Sequence, residues 1–402
     1  MKQKKKYVRF RHKIARIIIM SLIKPILKIK YNYSYKKFKD IKNRPYLVLF
    51  NHQTGFDQFF VSVAFSKHLY TVATEDIFSM GFVSKIIKHL VHPIAFRKST
   101  NDSRAVIECL KIAKEGGSIA LSPEGNRTYS GRTCNIKASI AKLCQKIALP
   151  IAFFNISGGY GVKPKFADKI RKGKVRGEVV KVLEVDEIKN MSVEELNRQI
   201  NHYLYVDESK SDQIVKSKHM AEYLERVVYV CPKCGLSEFR SNKDEIRCLN
   251  CGLHTKYKGN NEFEANSLFK FKNVFEWYSY QEAYINNLDL KELIDLIYED
   301  DVLLSEVIVF KKKKKIDKKA KIKLFNNRIE IENRINNFVF MLDDISTISV
   351  LGKNKLNIYY QDKIYQLKGN KQMNALKYMN IYFRYVNLEK EENDANSEFL
   401  GI

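Results

Sequence analysis

His52 follows Asn51, and Asp57 comes five residues after His52, with Gly55 between them. In an unbroken helix, positions five apart lie about 140° apart around the axis, and in a strand they point to opposite faces. The pair therefore meets only across a turn, for which Gly55 supplies permissive backbone. A histidine held by a carboxylate is fixed in one tautomer and becomes a better base; with an unperturbed pKa of about 6.5 it takes a proton near neutral pH. The same spacing also allows a plainer arrangement, in which His52 caps the next helix and Asp57 faces solvent. A second polar segment, Ser118 to Thr128, places Gly125 and Arg127 where backbone N–H groups and a guanidinium could hold a phosphate. Arg97 closes the short apolar run that begins at Pro93.

Four cysteines form two Cys-x-x-Cys knuckles, Cys231 with Cys234 and Cys248 with Cys251, each followed by glycine. Four thiolates in paired turns suit tetrahedral Zn²⁺ at about 2.3 Å, and a site closed by cysteine alone is structural rather than catalytic. His254 lies nearby but is not needed for four-coordination. The module resembles a zinc ribbon. Cys109, Cys134 and Cys144 are scattered, which fits a reducing cytosol better than a disulfide framework.

Taken in order, these segments resemble the four sequence blocks of the glycerolipid acyltransferase family, which includes the lysophosphatidate acyltransferases. The family's Asn-His-x-x-x-x-Asp block corresponds to Asn51, His52 and Asp57, and its arginine block to Arg97. Its Pro-Glu-Gly-x-Arg block corresponds to Pro123, Glu124, Gly125 and Arg127, and its Leu-Pro-Ile block to Leu149, Pro150 and Ile151. Departures are Ser122, where an aromatic usually precedes the proline, and Asn126, where threonine is frequent. The resemblance implies that His52 takes the proton from an acceptor hydroxyl while Asp57 stabilises the imidazolium, the oxygen then attacking an acyl thioester. It implies further that Arg97, Glu124, Gly125 and Arg127 bind or orient the acceptor's phosphate, Glu124 by orienting Arg127 or the turn. The donor is acyl-CoA or acyl-carrier protein. The acceptor is 1-acylglycerol 3-phosphate, with another lysophospholipid or glycerol 3-phosphate as alternatives.

The elements that must position these residues are visible as pattern. From Pro45 to about Val185, buried strand-like runs (Tyr46 to Phe50, Ser118 to Leu121, Pro150 to Phe154) alternate with helix-like segments such as Ser103 to Glu115. The reading is an α/β acyltransferase domain, a mixed sheet flanked by helices, over 41–190. A helical linker is expected over 191–228, the zinc ribbon over 229–256, and a helical connector over 257–300. A small β-barrel-plus-helix module resembling a PH or GRAM domain follows at 301–386, and a disordered acidic tail at 387–402. In the segment Phe82 to Val91, the residues Phe82, Val83, Ile86, Ile87 and Leu90 share one helical face, which suits either a buried core helix or a lipid-facing one.

The net charge of +26, from 71 Lys and Arg against 45 Asp and Glu, favours an anionic partner. Residues 1–40 read as a basic membrane-binding segment, rich in Lys and Arg before the apolar stretch Ile17 to Leu27. That stretch is broken by Ser21, Lys24 and Pro25 and falls short of the roughly 20 apolar residues a spanning helix needs. The expected setting is cytoplasmic, peripheral on the inner face of the cell membrane, with an anionic membrane surface, a lysophospholipid and an acyl thioester as partners. The Lys311 to Lys315 run is either a contact for anionic lipid or a solvated loop. A non-enzymatic, nucleic-acid-binding zinc-ribbon protein is the competing class. The Lys excess is spread along the whole chain and Phe239 is the single aromatic between the knuckles, so no nucleic acid is expected.

Overall fold

A computed structural model describes residues 6–39, 43–74, 77–96, 103–265, 267–293, 295–308, 311, 313–334 and 336–389. Arg97, Lys312 and most of the expected tail lie outside them. The chain divides into two compact units, the first made of 1–164 and 170–215, the second of 165–169 and 216–402.

The first unit is built on seven strands: β1 (Tyr33–Tyr35), β2 (Leu47–Phe50), β3 (Leu69–Thr74), β4 (Ile94–Phe96), β5 (Ser118–Leu121), β6 (Ile151–Ser157) and β7 (Val175–Leu183). They form one mixed sheet in the order β1-β7-β6-β2-β5-β3-β4, parallel except where β7 runs antiparallel to β6. Every residue of β2 and β5 is buried, as a central strand covered on both faces requires. Among the described residues eight α-helices accompany the sheet: α1 (Phe10–Tyr31), α2 (Asp57–Ala64), α3 (Phe82–Leu90), α4 (Ser103–Lys114), α5 (Ala138–Ile147), α6 (Gly159–Val162), α7 (Val185–Asn190) and α8 (Val193–Leu204).

Leu47, Leu49, Ile151 and Phe153 put one face of the sheet into a core shared with Ala105, Cys109 and Ile112 of α4 and Ala141, Cys144 and Ile147 of α5. The segment expected as a linker contributes to this core. Ser192 caps α8 by accepting from Glu195 N, and Leu196, Ile200 and Leu204, four apart, present one buried stripe to the sheet. Arg44 donates two hydrogen bonds to the Glu184 carboxylate at 2.6 and 2.5 Å, joining the approach to β2 with the end of β7. α1 has no capping side chain at its start and ends on Asn32, whose φ of 45° is the left-handed stop that asparagine tolerates. Among the described residues no helix is long and apolar enough to cross a membrane.

The second unit begins with the cysteine module: a hairpin of β8 (Val230–Cys231) and β9 (Gly235–Leu236), then a small sheet of β10 (Phe239–Asn242), β11 (Glu245–Cys248) and β12 (His254–Lys256). Helix α9 (Val274–Asn286) is seated on it by Trp277, whose indole N–H donates to Val230 O at 2.8 Å and whose ring meets Phe239, Phe263 and Phe269. A curled antiparallel sheet of seven strands follows: β13 (Tyr298–Glu306), β14 (Lys314–Leu324), β15 (Arg328–Glu332), β16 (Phe338–Met341), β17 (Ile345–Leu351), β18 (Lys355–Tyr360) and β19 (Lys363–Gly369). Their order is β16-β15-β14-β13-β19-β18-β17. Helix α10 (Ala375–Glu389) closes the unit and runs three residues into the segment expected as tail, 387 to 389. Lys377 of α10 is 3% exposed, and its ammonium is neutralised by Asp300 at 2.8 Å and Glu238 at 3.1 Å, the pairing a buried cation demands.

Candidate active site

Because β2 lies between β5 and β6, the chain leaving its carboxyl end is held from both sides. The Asn51 amide donates to Ile156 O at 2.8 Å and accepts from Ile156 N at 2.7 Å, so the side chain extends the ladder one step past the strand. His52 N donates to Glu124 Oε1 at 2.6 Å, and His52 O accepts from Thr128 N at 2.9 Å. Two blocks far apart in sequence thus meet because their strands are neighbours.

The turn after His52 returns its partner to it. His52 Nδ1 lies 2.7 Å from Asp57 Oδ2. Asp57 is the first residue of α2 and fully buried; it also accepts from Gln53 N at 2.7 Å, from Thr54 N at 2.9 Å and from Thr54 Oγ1 at 2.6 Å. The carboxylate, at a helix N-terminus, thus has both oxygens satisfied by protein donors. His52 is a quarter exposed. Of the two arrangements the spacing allowed, the paired one is formed, and Asp57 does not face solvent.

Glu124 anchors the loop. Its carboxyl accepts from His52 N and, at 3.0 Å, from Cys134 N, so of its two expected tasks it performs the holding of the turn. Burial pushes its pKa up to about 8, with the Asp57 charge adding to the rise and the two N–H donors opposing it. Gly125 has φ +68° and open space where a Cβ would stand, so backbone rather than crowding selects glycine there. Arg127 is half-buried, and one of its terminal nitrogens lies 3.9 Å from where a Gly55 Cβ would be, placing the guanidinium over the His52–Asp57 turn. Burial lowers its pKa while the Asp57 charge raises it. The hydroxyl of Ser122 is buried without a hydrogen-bond partner among the described residues. Arg97, expected at this site, lies outside the described residues.

Three contributors were not visible in the sequence. Gln53 sits at a variable position of its block, yet its side-chain nitrogen donates to Glu208 Oε1 at 3.0 Å and its carbonyl accepts from Tyr160 N at 3.2 Å. Glu208, 3% exposed, also accepts from Gly158 N at 2.7 Å. Tyr31, at the end of α1, packs on Phe56 and Phe60, and burial with the nearby Asp57 charge pushes its hydroxyl up to about 12. Neither Glu208 nor Tyr31 lies in a motif or at a telling distance from one.

The second unit holds a separate cluster. The sulfurs of Cys231, Cys234, Cys248 and Cys251 all lie within 4.8 Å of one another, with Cys231–Cys251 at 3.6 Å and Cys234–Cys248 at 3.7 Å. Sulfurs on a tetrahedron of 2.3 Å bonds stand roughly 3.8 Å apart, so this group could hold a metal ion as it stands. Gly235 at φ +75° and Gly252 at φ +76° let the chain turn back behind each knuckle.

The family model described as Acyltransferase matches residues 32–157, the stretch from β1 through β6 that carries Asn51, His52, Asp57, Glu124, Gly125 and Arg127. Among curated proteins none gives a match. Among solved structures, the 1-acyl-sn-glycerophosphate (LPA) acyltransferase PlsC from Thermotoga maritima is similar at 22% identity over 49% of this chain and 80% of that one, with a TM-score of 0.42. The N-terminal PH domain of the human ARAP2 protein is similar at 13% identity over 25% of this chain and 89% of that one, with a TM-score of 0.20. At these TM-scores neither likeness bears on what the chain does. Residues 32–157 thus match the acyltransferase family, in the stretch that holds the motif blocks resembling those of the glycerolipid acyltransferases.

Proposed function

We propose that the first unit moves a fatty acyl group from acyl-CoA or acyl-carrier protein onto the free hydroxyl of 1-acylglycerol 3-phosphate, giving phosphatidate. The observation that carries this reading is His52 Nδ1 at 2.7 Å from a fully buried Asp57. With Nδ1 committed to Asp57, Nε2 is the ring atom that accepts the acceptor's hydroxyl proton as that oxygen attacks the thioester carbonyl. The Asp57 charge stabilises the imidazolium formed. The carbonyl–sulfur bond then breaks and the thiolate leaves; with a thiol pKa of about 8.5 it requires no strong acid. Arg127, with Gly125 and Glu124 shaping the turn, binds the acceptor's phosphate, and Arg97 adds a second cation. The partnerless Ser122 hydroxyl supports testing other phosphate-bearing acceptors, glycerol 3-phosphate included, beside the lysolipid.

The setting proposed is an anionic membrane surface on the cytoplasmic side. The apolar face of α3 is turned to solvent, with Phe82 75% exposed beside Val83, Ile86 and Leu90. α1 adds Phe10, Ile17, Leu22 and Ile29, the last 82% exposed, and Arg11 ties the two helices by donating to His89 O. Lysines 13, 24, 28, 85 and 88 stand among these residues, the composition that draws a helix onto anionic lipid. The four cysteines hold Zn²⁺ in a structural role.

Release of free thiol from acyl-CoA, with and without lysophosphatidate on anionic vesicles, tests the reaction. Wild-type protein releases thiol only with the lysolipid present, and His52→Ala lowers the rate by about two to four orders of magnitude, the usual worth of a general base. Undiminished turnover in that variant overturns the mechanism.

A further inference from the structure

Where β6 ends, β1 and β7 begin, and the register sets their residues side by side. Ser34 of β1 is opposite Arg176 of β7, and Arg176 is opposite Ser157 of β6. Alternation puts all three on one face, followed two residues along by Glu178 opposite Asn155, with Lys36 next to Glu178. Together they line a cavity of about 320 Å³. Lys36 and Glu178 neutralise each other in an ion pair. Arg176 is exposed and has no hydrogen-bond or ion-pair partner among the described residues. Asn155 Oδ1 is the reverse case, a buried acceptor to which nothing among the described residues donates.

The two open groups have opposite needs. Arg176 presents a fork of donors flanked at strand spacing by two hydroxyls, an arrangement that uses the several oxygens of a tetrahedral anion better than the two of a carboxylate. Asn155, one row along and about 7 Å away by strand geometry, needs an O–H or N–H donor. Because Phe50 pairs with Phe154, Asn155 stands beside Asn51, one strand away from the step at which His52 leaves the sheet.

We propose that this trough binds a small phosphate ester carrying a hydroxyl near its phosphate, the phosphate on Arg176 between Ser34 and Ser157 and the hydroxyl donating to Asn155. It is a second anion site, distinct from the turn of Arg127, and it stands whether or not the chain transfers acyl groups.

Calorimetric titration of the full chain with inorganic phosphate, sn-glycerol 3-phosphate and glycerol tests it. Wild-type protein shows a glycerol 3-phosphate component that Arg176→Gln weakens at least tenfold and His52→Ala leaves intact. Asn155→Leu removes the advantage of glycerol 3-phosphate over inorganic phosphate without changing the affinity for phosphate itself, and glycerol alone gives no heat of binding. Every component surviving Arg176→Gln unchanged overturns the site. Inorganic phosphate binding as tightly as the ester in wild-type protein overturns the role given to Asn155. Arg176 is exposed and pairs with nothing among the described residues, so its variant folds and the first comparison decides even if the Asn155 variant does not.

Discussion

Gln53 stands between two of the three carboxyl groups of the site: its backbone N–H serves Asp57 and its side-chain nitrogen serves Glu208. Glu208 therefore acts on the chemistry through another residue. Glu208→Ala leaves the Gln53 nitrogen and Gly158 N unpaired in a buried place, at a cost of about 1–3 kcal/mol for each orphaned group. Glu208→Gln keeps an acceptor for both, and its new N–H₂ takes the position of Oε2, which has no partner among the described residues. The expectation is a thiol-release rate at least tenfold lower for the alanine variant and within a fewfold of wild type for the glutamine variant. Equal rates in all three proteins remove Glu208 from the site. The His52–Asp57 pair was legible through its Asn-His-x-x-x-x-Asp block, since the five-residue spacing across a glycine by itself also allowed His52 to cap the helix and Asp57 to face solvent. Glu208 was not, since only the fold brings position 208 to position 53. Glu124 was legible as a member of its block, but its hold on the backbone of His52 was not, because that depends on β5 lying beside β2.

At the scale of elements, the helix expected to touch lipid is docked through histidines. His12 of α1, 1% exposed, hydrogen-bonds Tyr70 of β3 through Nδ1 at 2.9 Å, and its Nε2 is buried without a partner among the described residues. Its ring stacks on His92 at 5.8 Å and lies 5.7 Å from His68; His92 in turn pairs with Glu108 of α4 at 2.8 Å. Arg9, just before α1, and Arg11 and Arg16 within it add positive charge around the cluster. Burial first, and neighbouring cations second, pull His12 and His68 down to about 4. Both are therefore neutral in the docked form, while in an undocked chain they titrate near 6.5. Docking is then fully present above pH 6.5 and is lost as the pH falls towards 4, because the undocked form binds more protons in that window. Hydrogen exchange along 10–31, corrected for intrinsic rates, should show protection falling over that range, and His12→Gln should flatten the response. A flat wild-type profile contradicts the account. The periodicity of α3 left its apolar face either inward or outward, and the fold turns it outward. The strand patterns at 46–50 and 118–121 were read nearly to the residue, because β-branched and aliphatic runs between polar turns have few other uses.

At the scale of the molecule, the single tryptophan reports on the cysteine module, since the indole N–H is bonded to Val230 O, next to Cys231. One metal ion per chain is expected. Its removal by a chelator, or Cys248→Ser, should shift Trp277 emission to the red as the aromatic packing around α9 loosens. Unchanged emission and metal content in the serine variant would dismiss the site. The family match ends with β6, whereas β7 lies beyond it and supplies the hydrogen-bond partner of both β6 and β1. A gene fragment cut to residues 32–157 would express a sheet with β1 detached and one side of β6 unpaired, an invitation to aggregate. The compact unit is instead 1–164 with 170–215, while 165–169 belongs to the other unit. For recombination, the boundary of homology and the boundary of foldability are different addresses.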